Sequence, residues 1–292
     1  MKQKTIFDLI EEEGSIFKNR EVFTTEYIPE FYQYRNHQLD TMAFHSRRVE
    51  HNRAPYHMLL KGRNATGKTS TLKRYFQLIS ERFPNVFTVY INCRLHRTEY
   101  QIFSKIYLEL FHENIASLNT YNFYNRIMDY LIEKKLILIV ALDEFNNIKT
   151  PIELNRTLYT LLRAHEEYPH VEISVIAISS ERKINATDLN VSTIHLPIEI
   201  RFPFYTHQEV YSILKQRCDL GFYPGVISDN LLADISENAY RLGNLRIGIK
   251  KLEHAGEKAE YRGSCKIEKE DITNIFKRKY KISRKGFGIT IF

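Results

Sequence analysis

The sequence predicts an α/β fold: a five-stranded parallel sheet flanked by helices, followed by a small all-helical domain. Three observations carry that prediction. Over the first two thirds of the chain, short apolar runs alternate with stretches of helical periodicity, the pattern of parallel strands joined by crossovers. The run at 136–142 is apolar without interruption, as a strand covered on both faces must be. After Phe202 the strand signals stop and helical periodicity alone continues.

Taken in order, the strands fall at 56–60, 86–91, 136–142, 171–178 and 198–202, each bounded by turn or charged residues. Between them, apolar residues recur at helical spacing over 69–82, 98–111, 122–133 and 152–165. Tyr100, Phe103, Tyr107 and Phe111 share such a spacing and are read as core packing. Three more helical stretches, 206–217, 228–241 and 244–261, follow Pro203. The chain therefore divides into an α/β domain at 1–202, a helical domain at 203–275 and a basic tail at 276–292.

Composition narrows the class. With 292 residues and 43% hydrophobic content, the chain can bury a substantial core. The net charge of +7 is concentrated near the end, where Lys277, Arg278, Lys279, Lys281, Arg284 and Lys285 occur without an acidic residue. That tail interleaves its cations with Tyr280, Phe287 and Phe292, which suits either a solvated tail or a contact with nucleic acid. Cys93, Cys218 and Cys265 are far apart, a spacing that argues against a disulfide framework or zinc site and fits a reducing interior. The first fourteen residues lack a signal-peptide pattern, and no window approaches the roughly eighteen apolar residues of a membrane span, so a soluble cytoplasmic protein is expected. Neither H-E-x-x-H nor G-x-S-x-G occurs, which excludes the corresponding metalloprotease and serine-hydrolase readings. His195 and His207 are read as satisfying local hydrogen bonds.

The chemistry centres on Gly62-Arg63-Asn64-Ala65-Thr66-Gly67-Lys68-Thr69, which matches G-x-x-x-x-G-K-[ST] between a strand and a helix. Such a turn aims backbone N–H groups and a helix N-terminus at a phosphate chain. Gly62 and Gly67 permit the turn, Lys68 is expected to reach the β- and γ-phosphates, and Thr69 to offer its hydroxyl to Mg²⁺. Asn64, Ala65, Thr66 and Ser70 complete the nucleotide-binding set. Leu142-Asp143-Glu144 ends the buried strand; Asp143 is expected to hold the Mg²⁺ shell and Glu144 to polarise an attacking water.

These motifs mark a P-loop NTPase, and further segments resemble the origin recognition complex and cell-division-cycle family of archaeal and eukaryotic replication initiators, within the AAA+ ATPases. The likeness runs from about Phe17 to Ile272. Phe17-Lys18-Asn19-Arg20-Glu21, Tyr27-Ile28-Pro29-Glu30 and Tyr34-Arg35 are similar to the family's stretch over adenine and ribose, which implies nucleotide contacts for Pro29 and Arg35. Ile91-Asn92-Cys93-Arg94 resembles its second strand end. Phe202-Pro203-Phe204-Tyr205 with Glu209-Val210, then Phe222-Tyr223-Pro224-Gly225-Val226, resembles the start of its helical lid and adds Tyr205 to the nucleotide contacts. Gly243-Asn244-Leu245-Arg246 matches its second sensor, whose arginine faces the γ-phosphate in cis.

The resemblance implies ATP/ADP and Mg²⁺ as ligands, duplex DNA at an origin as a partner, recruitment of replication proteins, and nucleotide-dependent self-assembly; no membrane partner is implied. Three departures bear on it. Ser179-Ser180-Glu181 stands where the family has Ser-Asn-Asp, so Ser180 replaces the water-orienting asparagine. Asn190 stands at the position of the arginine given to a neighbouring subunit. The family's C-terminal winged-helix domain has no counterpart before residue 292, and whether it is lost, replaced or truncated stays open in the initiator reading. Such changes act on hydrolysis more than on binding, because an absent arginine finger lowers phosphoryl transfer by about 10³ to 10⁵. Slow hydrolysis is the expectation. A clamp-loader-like or mobile-element AAA+ subunit and a non-hydrolysing, nucleotide-stabilised binding protein stay open beside the initiator reading.

Overall fold

The computed structural model describes residues 15–24, 27–28, 34–113, 118–180 and 197–273. They form two compact units. An α/β unit occupies 34–204, and a helical unit comprises 205–273 with 15–24 and 27–28.

In the α/β unit, β1 (Met58–Lys61), β2 (Val86–Asn92), β3 (Ile137–Asp143), β4 (Glu172–Ser179) and β5 (Ile198–Arg201) build one sheet in the order β2-β3-β4-β1-β5. Every pairing is parallel. β3 sits inside the sheet between β2 and β4, and each of its residues is buried, which explains its uninterrupted apolar run. Leu138, Val140 and Leu142 join one core cluster and Ile137, Ile139 and Ala141 another, so alternate side chains feed opposite layers. The helices of this unit are α1 (Asn36–His45), α2 (Lys68–Arg82), α3 (Glu99–Phe111), α4 (Thr120–Lys134), α5 (Pro151–Leu162) and the short α6 (Ala164–Glu167).

Local chemistry sets the helix starts. Thr98, Asn119 and Thr150 cap α3, α4 and α5 by accepting from Gln101, Asn122 and Glu153 N–H, and Pro151 opens α5 where a missing N–H is harmless. Phe103 and Tyr107 are buried in the larger core, as their spacing on α3 predicts, while Tyr100 is partly exposed. The stretch read as one helix over 152–165 breaks at Arg163, where α5 gives way to α6.

The helical unit contains α7 (His207–Gly221), α8 (Asp229–Arg241), α9 (Leu245–Tyr261) and α10 (Lys269–Thr273). A capping box of Thr206 and Glu209 starts α7, Ser228 caps α8 and Asn244 caps α9. Residues 15–24 and 27–28 group with this unit, whereas the sequence division put them in the 1–202 segment. Aromatic packing is the reason: the Phe222 ring lies 5.0 Å from that of Phe17 and 4.6 Å from that of Phe23. Lys18 and Asn19 N–H both donate to Gly221 O, at 2.8 and 3.1 Å. Among the described residues, no helix is long and apolar enough to cross a membrane.

Candidate functional site

The site is built where β1 hands over to α2. Gly62 N–H donates to Ser179 O at the end of β4 (3.3 Å), which ties the start of the loop to the neighbouring strand. A Cβ on Gly62 would lie 2.5 Å from Phe202 O and 2.8 Å from Phe202 Cβ, so glycine alone lets the loop pass this close to the chain leaving β5. Gly67, at φ 89°, is left-handed and turns the chain into α2, while Ala65 holds φ 60°. Thr66 Oγ1 donates to Arg63 O (2.8 Å) across the turn. Because α2 begins at Lys68, its first-turn N–H groups have no intrahelical acceptor, and the positive end of the helix dipole makes this terminus suited to an anion.

Lys68 is only 7% exposed, and its Nζ donates to Gly62 O (2.6 Å) and Arg63 O (2.8 Å). The ammonium is thus held against the loop itself. Asn64 is exposed; Ser70 is half-buried in the first turn of α2.

Asp143, 6% exposed at the carboxyl end of β3, anchors the acidic side. Its Oδ2 accepts from Thr69 Oγ1 (2.8 Å) and from Tyr90 Oη (2.8 Å). Burial, then the charges of Asp143 and Glu144, push the Tyr90 phenol well above its ordinary range, so it stays protonated and donates. Glu144 adopts φ 55°, uncommon for a residue with a Cβ, and its carboxylate pairs with the Arg94 guanidinium from the β2–α3 connection. Asn92 Oδ1 accepts from Arg94 N (2.9 Å), which fixes where that arginine begins. Between them the Cys93 thiol is pushed up to about 12, by burial first and then by the nearby Asp143 and Glu144 charges.

Arg35 braces the loop from behind. It is 3% exposed, with Nε donating to Thr66 O (2.9 Å), Nη2 to Pro203 O (2.8 Å) and Nη1 to Tyr34 O (3.0 Å). Ser180 directly follows β4, half-buried, next to the serine whose carbonyl takes the Gly62 N–H. The α/β unit thus brings together the loop residues 62–70, Asp143, Glu144, Ser180 and Arg35. Tyr205 and Arg246 belong to the helical unit, Tyr205 buried in its core and Arg246 exposed in the first turn of α9, where its N–H donates to Asn244 Oδ1 (3.1 Å). Pro29, Glu181, Asn190, His195 and the 276–292 tail lie outside the described residues.

One partner of the site, Tyr90, carries no motif of its own, and Arg94, part of the Ile91-Asn92-Cys93-Arg94 strand end, has a pairing with Glu144 that the motif does not show; the β2–β3 register sets Tyr90 beside Ala141 and Asn92 beside Asp143. Thr69 Oγ1 and Asp143 Oδ2, two hard oxygen donors 2.8 Å apart at a helix terminus suited to an anion, fit Mg²⁺, which takes one or two carboxylates and completes its shell from phosphate and water.

Both parts of the chain match known families. Residues 51–184 match a family model described as an AAA domain, and 211–276 match the Cdc6 AAA+ ATPase-type lid domain. The ORC1-type DNA replication protein 2 of Methanothermobacter thermautotrophicus is 37% identical over 279 residues, which cover 94% of this chain and 74% of that protein. The chain belongs to the archaeal Orc1/Cdc6 family. Another member, the ORC1-type DNA replication protein 2 of Methanosarcina mazei, is 34% identical over 92% of this chain and 73% of its own length. Among solved Orc1/Cdc6 structures, the Aeropyrum pernix ORC1 protein in complex with DNA matches with a TM-score of 0.79 at 26% identity, covering 89% of this chain and 69% of that one. The Aeropyrum pernix ORC2 protein in ADPNP-ADP complexes matches at 0.76, again 26% identical, over 88% and 71%. The expected fold therefore stands: the sheet is the AAA+ domain of an Orc1/Cdc6 protein and the helices after it are the lid.

Proposed function

We propose that this Orc1/Cdc6 chain is an ATP-responsive replication initiator that binds duplex DNA at an origin and recruits replication proteins, hydrolysing ATP slowly in the cytoplasm. The observation that carries the reading is the joining of Thr69 to Asp143 beside the buried Lys68, inside a chain of this family.

In this account the loop amides and Lys68 Nζ bind the phosphates, with Lys68 exchanging its two loop carbonyls for phosphate oxygens. Thr69 and Asp143 would hold Mg²⁺, which supplies neutralisation of the charge developing on the phosphates. Glu144 polarises the attacking water once its carboxylate leaves Arg94, and Ser180 orients that water with a shorter reach than an asparagine. Arg246 is proposed to sense the γ-phosphate, and Pro29, Arg35 and Tyr205 to shape the nucleotide pocket directly or through the loop. A ligand shifts a two-state protein only by its differential affinity, so ATP and ADP must differ in how Lys68 and Arg246 are engaged.

DNA binding is proposed because the family includes a member solved in complex with DNA. The test is duplex binding followed by fluorescence anisotropy at increasing salt, with ATP, ADP or no nucleotide. The reading predicts that log affinity falls linearly with log salt, weakens on deletion of 277–292 and depends on the nucleotide. Absence of duplex binding at low salt would overturn it. The alternative, a non-hydrolysing nucleotide-stabilised protein, is favoured by one observation, the engagement of Glu144 by Arg94; phosphate release that vanishes in Glu144→Gln would exclude it.

A further inference from the structure

The α/β unit carries a concave feature at the amino-terminal end of its strands, away from the loop at 62–69. β1 runs from Met58 to Lys61, and the phosphate loop follows its carboxyl end. Beside the amino-terminal ends of β1 and β4 a cavity of about 530 Å³ opens, lined in part by Arg48, Arg53, Tyr56, His165 and His170. Its lining includes one carboxylate, Glu172, which is already engaged: Arg53 Nη1 lies 2.9 Å away and Ala54 N–H donates to it at 2.7 Å.

The Arg48 charge has no such neutralisation. The Arg48 guanidinium stacks over the Tyr56 ring, 4.5 Å from its centroid, and pairs with no carboxylate among the described residues. His165 and His170 likewise have no acidic partner there. The unneutralised Arg48 charge gives this hollow a positive potential, and the His165 and His170 rings in its lining add N–H groups that can donate to an anion. A guanidinium stacked on a ring keeps its planar fork of N–H donors at its edges, the geometry that meets phosphate oxygens two at a time. Tyr56 is half exposed beside it and offers a face on which a base can lie.

We propose that this cavity binds a phosphoryl group, from a free nucleotide or from a nucleic-acid backbone, as a site separate from the phosphate loop. The site does not depend on the nucleotide reading of that loop. The decisive comparison uses the full chain carrying Lys68→Ala, which weakens the first site, titrated calorimetrically with inorganic pyrophosphate. Addition of Arg48→Gln and His170→Gln is expected to weaken the remaining binding about tenfold or more. His170 is exposed and Arg48 half-buried, and circular dichroism verifies the fold; Arg48→Lys with His170 intact should recover part of the affinity.

A second arm assigns the source. Loss of affinity for a short duplex in Arg48→Gln, His170→Gln protein with wild-type Lys68 marks backbone phosphate as the ligand; loss for pyrophosphate alone marks a free nucleotide. Pyrophosphate binding that is absent in Lys68→Ala protein, or unchanged by the two glutamines, overturns the proposal.

Discussion

Thr69 Oγ1 donates to Asp143 Oδ2 across 2.8 Å, so the first turn of α2 and the end of β3 share one buried carboxylate. That bond joins the amino terminus of α2 to the acidic end of β3. Asp143→Asn keeps the shape but removes the charge that a hard cation needs. In the presence of Mg²⁺, ATP affinity should fall about ten- to a hundredfold, whereas in EDTA the variant and wild type should bind alike. Calorimetry in the two buffers checks this; an equal loss in both would assign Asp143 a structural role instead.

The Arg94–Glu144 pair joins side chains that are 61% and 26% exposed. A pair so open to solvent is worth at most about 1 kcal/mol, which corresponds to a change of about fivefold. If Glu144 must leave Arg94 to polarise water, Arg94→Ala should raise the basal rate of phosphate release by no more than about fivefold, with ATP affinity unchanged. A rate that falls would show that Arg94 supports catalysis.

Gly62 faces backbone, not a flexible side chain. Gly62→Ala places its methyl against Phe202 O, which cannot move without shifting β5. The substitution should lower stability by about 1–3 kcal/mol and weaken nucleotide binding in parallel. Urea denaturation with and without ATP measures both, and an unperturbed alanine variant would contradict the close approach.

Alkaline pH should unfold the protein earlier than its carboxylates would suggest. Burial pushes the Cys93 thiol up to about 12, and it raises Cys218, Tyr75 and Tyr90 well above their ordinary values. Between the unfolded value of 9.0 for a thiol and the folded one, the native state holds protons that the unfolded chain releases, so the derivative of stability with pH is negative. The contribution is complete below pH 9 and is lost as pH rises toward 12. Urea midpoints at pH 8, 9.5 and 10.5 should fall in that order, and a Cys93→Ala variant should show a shallower fall.

What the sequence disclosed follows from how local each feature is. β3 was readable because a strand buried on both faces must be apolar throughout, and the turn from β1 into α2 because its pattern sits in eight consecutive residues. The ten residues of α1 escaped notice since only Gln38 and Met42 are buried on it, too few to set a period. Tyr90 and Arg94 find their carboxylates through strand register, which no local pattern encodes. Likewise the placement of Phe17 and Phe23 on Phe222 joins segments far apart in the chain.

The claim on which the account turns is that Lys68 and the amides around it bind a nucleotide's phosphates. Titration of the wild-type chain and Lys68→Ala with ATP and Mg²⁺ in a calorimeter measures it directly. Saturable binding to the wild type, at least about tenfold weaker in the variant, is the predicted result. Folded wild-type protein that gives no binding heat at several temperatures and no thermal stabilisation by ATP would contradict it.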